Sequence, residues 1–282
     1  MTTLKEFNSY GEDLRRFMLL RTYPIAVKML QNESDIPEGA VRPKRDRGYH
    51  LSQCQAFFLS RSRGDSIAML KEDNWCWGPL MAYGLADPRL AEKYDEIKND
   101  VKIMPRLEYG KYIGILSAPL ETADFEPDIV VIYSNTAQLD NMLHALMWIG
   151  EGLVTSSFFP TASCAFSVVP ALSGQYYITL PDSGEYGRVP TGDDEIIFSV
   201  PKDKVKVLVS QLRKFDQSKM GYKHYPFLEI ATDHTRPQFY KDLFRECGLD
   251  ADDVATWNPG WGKDTAAHVR WLSEPYDEQN KP

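Results

Sequence analysis

Of the four cysteines in the chain, three stand beside polar or turn-forming residues rather than inside apolar stripes. Cys54 lies in Gln53-Cys54-Gln55 at the opening of a helix, Cys76 in the aromatic turn Trp75-Cys76-Trp77-Gly78, and Cys164 shortly after Phe159-Pro160-Thr161. A sulfur at a helix start faces backbone N–H donors, which favour the thiolate, the form that binds metals and attacks electrophiles. Structural zinc is usually marked by close Cys-x-x-Cys pairs, and none occurs here. Three scattered thiolates fit instead a cubane [4Fe-4S] cluster with one iron left free for substrate, Trp75 and Trp77 restricting solvent around it. Two other metal readings use the same regions. One is a zinc site of three cysteines and one histidine, completed by His50 or His144; the other is haem with His144 or His50 as axial ligand, the lack of Cys-x-x-Cys-His excluding only covalent attachment. Three separately buried thiols are the plain alternative, since free cysteine is among the most buried residue types. Cys247 completes an apolar helical stripe with Tyr240, Leu243 and Phe244 ahead of Gly248, and reads as a core residue.

Other residues are placed to serve such a centre. The loop Ser183-Gly184-Glu185-Tyr186-Gly187-Arg188 has glycines that permit tight backbone paths, so Arg188 is the candidate to orient a substrate anion by bidentate pairing. Asn135, between Ser134 and Thr136, sits where a strand meets a helix, a place for an anion or for simple capping. On the helix that follows, Asn141, His144 and Trp148 lie off the apolar stripe, which makes His144 a candidate ligand or acid-base group, or part of a subunit contact. Asp193-Asp194-Glu195 is either a carboxylate pair for proton transfer or a solvated turn. No P-loop, dinucleotide fingerprint, Gly-x-Ser-x-Gly elbow or His-Glu-x-x-His pair occurs, so the common nucleotide and hydrolase readings drop.

The elements that must carry these residues follow from periodicity. Thr3 and Glu6 form a capping-box pattern before a helical stripe through Leu4, Phe7, Gly11, Leu14 and Met18. Tyr23 to Leu30 reads as a strand, His50 to Arg61 as the helix carrying Cys54, and Trp75 to Leu85 as a turn entering a helix. Strands follow at Tyr112 to Leu116 and Ile129 to Tyr133, the latter apolar throughout and so buried on both faces. Leu139, Met142, Leu143, Leu146 and Leu153 mark the next helix, and Val205, Leu208, Val209 and Leu212 the one after Pro201, with strands at Tyr176 to Leu180 and Glu195 to Val200 between them. The expected fold is α/β, a mixed, mostly parallel sheet flanked by helices. Residues 1–220 would form the core domain, and 221–282 an appended extension packed on it, with short helical pieces at Gln238 to Cys247 and Thr265 to Leu272.

With 282 residues, 43% hydrophobic and 26% charged, the chain is an ordinary globular one. Its net charge of -8 opposes a phosphate backbone. Arg42, Lys44, Arg45, Arg47, Arg61 and Arg63 are the only basic grouping, expected to be a solvated loop and helix face. Without a signal-type start or an apolar run of membrane length, a cytosolic location is expected, where thiols stay reduced. The expected partners are a small polar or aromatic substrate, an electron-transfer protein if the chemistry is redox, and a second copy in a homo-oligomer, but neither nucleic acid nor membrane. The competing class is a binding or regulatory protein without turnover, its thiols structural or holding zinc.

Cys54, Trp75-Cys76-Trp77-Gly78, Ala118-Pro119-Leu120, Phe125-Glu126-Pro127-Asp128-Ile129-Val130 and Cys164 together resemble the ArCR family, known as domain of unknown function 169. The resemblance runs from about Tyr23 to Leu212 and includes Gly187-Arg188 before Asp194-Glu195. It implies a mostly prokaryotic soluble protein of anaerobic metabolism with spread cysteines as a family trait, and it supplies no reaction. Residues from about Gly221 lie outside it.

Overall fold

A computed structural model describes residues 2–217, 221–222 and 238–249. The chain separates into two compact units, Met1–His224 and Tyr225–Pro282. In the second, α-helix Gln238–Glu246 is described, and Cys247 just beyond it is exposed rather than a core residue. The expected packing of the C-terminal extension on the core, and a helix expected at Thr265 to Leu272, fall outside the described residues.

The first unit runs α1 (Leu4–Met18), β1 (Ile25–Leu30), α2 (Pro43–Arg47), α3 (Gln53–Arg63), β2 (Ile67–Leu70), α4 (Trp77–Ala82), α5 (Lys98–Ile103), β3 (Gly114–Pro119), β4 (Ile129–Ser134), α6 (Thr136–Trp148), α7 (Ser163–Leu172), β5 (Tyr177–Thr179), α8 (Ser183–Tyr186), β6 (Ile196–Pro201) and α9 (Lys202–Gln217). The six strands form one sheet in the order β2-β3-β1-β4-β6-β5. Every pair of neighbouring strands is antiparallel, with Ile25 opposite Pro119 on one side and Val131 on the other. The mostly parallel sheet expected from the sequence is therefore wrong. The apolar runs of β1, β3 and β4 record burial on both faces, and helices covering both faces produce that burial whichever way the strands run. Strand direction leaves no such mark. β2 escaped sequence reading because it is only four residues long.

Alternation along the strands sorts the core into two layers. Ala26, Leu30, Val130, Ile132, Phe198 and Val200 face α1, α6 and α9. Ile25, Val27, Met29, Ile129, Val131 and Tyr133 face α3, α4 and α7. Each fully buried side chain of this size contributes about 1.5–3 kcal/mol through removal from water. The α1 capping box forms as expected, Glu6 accepting from the Thr3 N–H at 2.8 Å and donating its own N–H to the Thr3 hydroxyl at 3.3 Å. Gly11 lets α1 close on the turn after β3, where a Cβ would stand 2.6 Å from the Glu121 nitrogen. At the end of α6 the helical stripe stops short of expectation: Gly150 takes φ +79°, and Leu153 is exposed beyond it. Among the described residues no helix is long and apolar enough to cross a membrane.

Candidate functional site

Each of the three remote cysteines stands at a helix start. Cys54 is the second residue of α3, Cys76 immediately precedes α4, and Cys164 is the second residue of α7. Two backbone hydrogen bonds tie the first two segments together, from the Leu51 N–H to the Asp73 carbonyl at 3.0 Å and from the Trp75 N–H to the Leu51 carbonyl at 3.2 Å. The Gln55 side chain adds to this joint, its Oε1 accepting from the Ser52 N–H at 2.9 Å and the Trp75 indole at 3.3 Å. Tyr83, just past α4, donates its hydroxyl to the Cys164 carbonyl at 3.0 Å and so fastens the third segment to the second. Ala162, ahead of α7, is held in the left-handed region at φ +57°, a conformation that costs about 1 kcal/mol or more in a residue other than glycine.

The result is a single cavity of about 140 Å³ lined by all three thiols. Gly78 forms its wall between two of them: a Cβ there would lie 3.8 Å from Cys164 Sγ and 3.9 Å from Cys76 Sγ. Arg188 completes it, Nη1 donating to Cys76 Sγ at 3.8 Å and Cys54 Sγ at 4.0 Å while its guanidinium lies over the Trp75 ring at 4.7 Å. Gly184 clears the way for that guanidinium, since a Cβ there would stand 2.8 Å from Nη1. Trp77 lines the cavity, whereas Trp75 acts through its stack on Arg188.

Burial pushes the Cys54 thiol above its ordinary pKa, with the Ser52 hydroxyl 3.0 Å away and Arg188 opposing the shift in part. Cys164 is pushed well above its ordinary range by burial first, then by the neighbouring Cys76 and Asp182 charges. The helix starts alone were expected to favour thiolate; in the folded chain desolvation outweighs them at these two sulfurs. Burial also works against the Arg188 charge, but the adjacent sulfurs more than offset it and its pKa rises.

Behind the cavity lies a buried polar network that sequence reading missed. Arg61, on the same helix as Cys54, pairs bidentately with Glu195 at 2.9 and 3.1 Å and lies over the Tyr133 ring at 4.0 Å. Tyr133 donates its hydroxyl to Glu185 at 2.7 Å, and the Ser163 hydroxyl donates to the other Glu185 oxygen at 3.0 Å. Glu185 is pushed up to about 7, by burial against the hydrogen bond from Tyr133 and the Arg61 charge. Arg61 and Arg42 were expected on a solvated basic face. Both are buried, Arg42 donating to Asp73 at 2.7 Å. Glu195 is likewise no solvated turn residue, while Asp194 pairs at the surface with Arg21.

Three other candidates are placed elsewhere. Asn135 caps α6, accepting from the Gln138 N–H at 2.8 Å. His144 is exposed on α6, packed edge-on against Phe215 of α9 on the opposite face of the sheet. His50 is exposed and does not line the cavity.

As for the metal, the donor set is soft, which suits a thiolate-ligated cluster, and Arg188 offsets part of the burial that disfavours charge on the sulfurs. Among the described residues no three His, Cys, Asp or Glu side chains stand close enough for one ion, so a single-ion site would require the thiols to draw in.

The family model for the uncharacterised ArCR proteins, domain of unknown function 169, matches residues 13–211. The chain belongs to the ArCR family. The match takes in all three cavity cysteines and Arg188, and starts inside α1, earlier than the resemblance read from motifs. Among curated proteins this ArCR chain is similar to the uncharacterised protein MJ0308 of Methanocaldococcus jannaschii, at 22% identity over 230 residues, covering 76% of this chain and 97% of that one. No solved structure matches it significantly.

Proposed function

We propose that Cys54, Cys76 and Cys164 hold a [4Fe-4S] cluster and that the protein acts on a small polar or aromatic molecule in the adjoining cavity, by redox or lyase-type chemistry. The reading is carried by one observation: three thiols from segments far apart in sequence line a single cavity beneath a guanidinium that contacts two of them. When bound, a cluster with one iron unligated by protein supplies a Lewis acid or an electron. The chain's own residues supply the rest. Helix starts and Arg188 oppose, in part, the burial that works against the thiolate charge ligation requires. Trp75 holds the guanidinium in place, and Trp77 walls the cavity from solvent.

The test is anaerobic purification, with iron, acid-labile sulfide, zinc and the visible spectrum measured on the wild type and on Cys54→Ser, Cys76→Ser and Cys164→Ser. Iron and sulfide in the wild type, lost from all three folded variants, are the expected result. One zinc per chain would replace the cluster with a structural ion, and a Soret band would replace it with haem. A folded, metal-free protein would leave a binding or regulatory role. In the cytosolic redox version an electron-transfer protein is the required partner.

A further inference from the structure

The cavity contains a polar group that no thiolate or sulfide can fully satisfy. Gln53 is buried, lines the cavity beside Cys54, and among the described residues neither its Nε2 nor its Oε1 has a hydrogen-bond partner. The backbone N–H groups of Gln53 and Cys54, in the first turn of the 11-residue α3, have no hydrogen-bond partner among the described residues either. Thiolate or sulfide can accept from the N–H groups and from Nε2. Neither can donate to the Oε1 carbonyl, which needs an O–H or N–H from a ligand. Arg188 makes the complementary demand: among the described residues it has no carboxylate within ion-pair distance, only two sulfurs and the Trp75 face. A positive helix end and a guanidinium call for an anion, and the bare carbonyl in the same cavity calls for a donor.

We propose that the ligand of this cavity is a small hydroxycarboxylate, its carboxylate held by Arg188 and its hydroxyl bridging both ends of the Gln53 amide. The inference rests on the cavity being the working site of the proposed function and deepens that reading. In the cluster-free cavity size agrees, since an apolar protein cavity of about 150 Å³ admits a molecule of benzene's bulk and this one is about 140 Å³; a cluster on the three sulfurs would share that space. The Asp182 carboxylate on the wall opposes the anion by its charge, and Arg188 must outweigh it; the Ser163 N–H at 2.7 Å and the Glu185 N–H at 2.8 Å, both donating to Asp182, lessen that opposition.

The experiment is calorimetric titration of the anaerobically purified full chain with lactate, propionate (which lacks the hydroxyl) and lactamide (which lacks the charge). Iron and sulfide are measured on the same samples. Lactate is expected to bind roughly tenfold or more tightly than either analogue, since each analogue leaves a buried group unpaired. Gln53→Leu is expected to bring lactate down to the level of propionate, and Arg188→Gln to that of lactamide. Equal binding of lactate and propionate to wild type would mean that water satisfies Gln53 and would overturn the proposal, as would no binding of any of the three. The wild-type ratio decides even where a variant fails to fold. Iron and sulfide without discrimination would sink this inference and keep the cluster; discrimination in an iron-free protein would keep this inference and sink the cluster.

Discussion

On one side of the sheet α1, α6 and α9 bury Phe7, Leu14, Met142, Leu146, Leu208 and Phe215, and no charged side chain of these three helices is buried. On the other side α3, α4 and α7 enclose two thiols, a bare amide, an Arg61–Glu195 pair and a carboxylic acid at Glu185. The same strands present apolar side chains to both layers, so the difference is made by the helices. The first layer is packed for burial. The second holds polar groups that cost stability unless they are paired or meet a ligand, which marks it as the working face.

The largest effect should come from Arg61→Met, which strands the buried Glu195 and removes the positive charge beside Glu185. A loss of about 3–5 kcal/mol is expected in denaturant unfolding, together with loss of the proposed cluster. Leu208→Ala in the other layer should cost a comparable 2–5 kcal/mol but leave metal content unchanged. If both variants kept their metal, the distinction between the faces would fail.

Glu185→Gln sharpens the contrast through pH. The folded-state pKa of about 7 lies above the ordinary 4.5, so the folded chain binds more protons than the unfolded one between those values. That contribution to stability is fully present below about pH 4.5, declines as pH rises to about 7, and then levels off. It amounts to about 3 kcal/mol for a shift of this size. Unfolding curves at pH 5 and pH 8 should show the decline in the wild type and a shallower one in Glu185→Gln. Matching profiles would place the Glu185 carboxyl in ordinary contact with solvent.

The smallest effect belongs to Asn135→Ala, which removes the α6 cap on the burial face. About 1 kcal/mol of stability should be lost, with cavity metal and ligand binding unaltered. A change in either would return Asn135 to the site.

How legible all this was depended on the range of the interaction. The α1 capping box, the apolar strands and the helix starts at Cys54 and Cys164 are written in neighbouring residues. Gln53 stood in plain view beside Cys54 and was read only as a flank, because its missing partners are a property of the closed cavity. Arg61 looked like one member of a basic run, and Glu195 like one of three acids in a turn. Their pairing joins positions that no local pattern connects.

By itself the sequence determined the longer helices and most strands, though not the short helices α2, α5 and α8, and it determined that β4 is buried on both faces and that three cysteines lie where helices begin, since these follow from periodicity and local backbone chemistry. Only the tertiary structure decided that the sheet is antiparallel, that the three sulfurs line one cavity under Arg188, and that His144 and Asn135 belong elsewhere. Strand direction and cavity lining depend on where chain segments return in space, and the balance between desolvation and helix charge at each sulfur depends on what finally covers it.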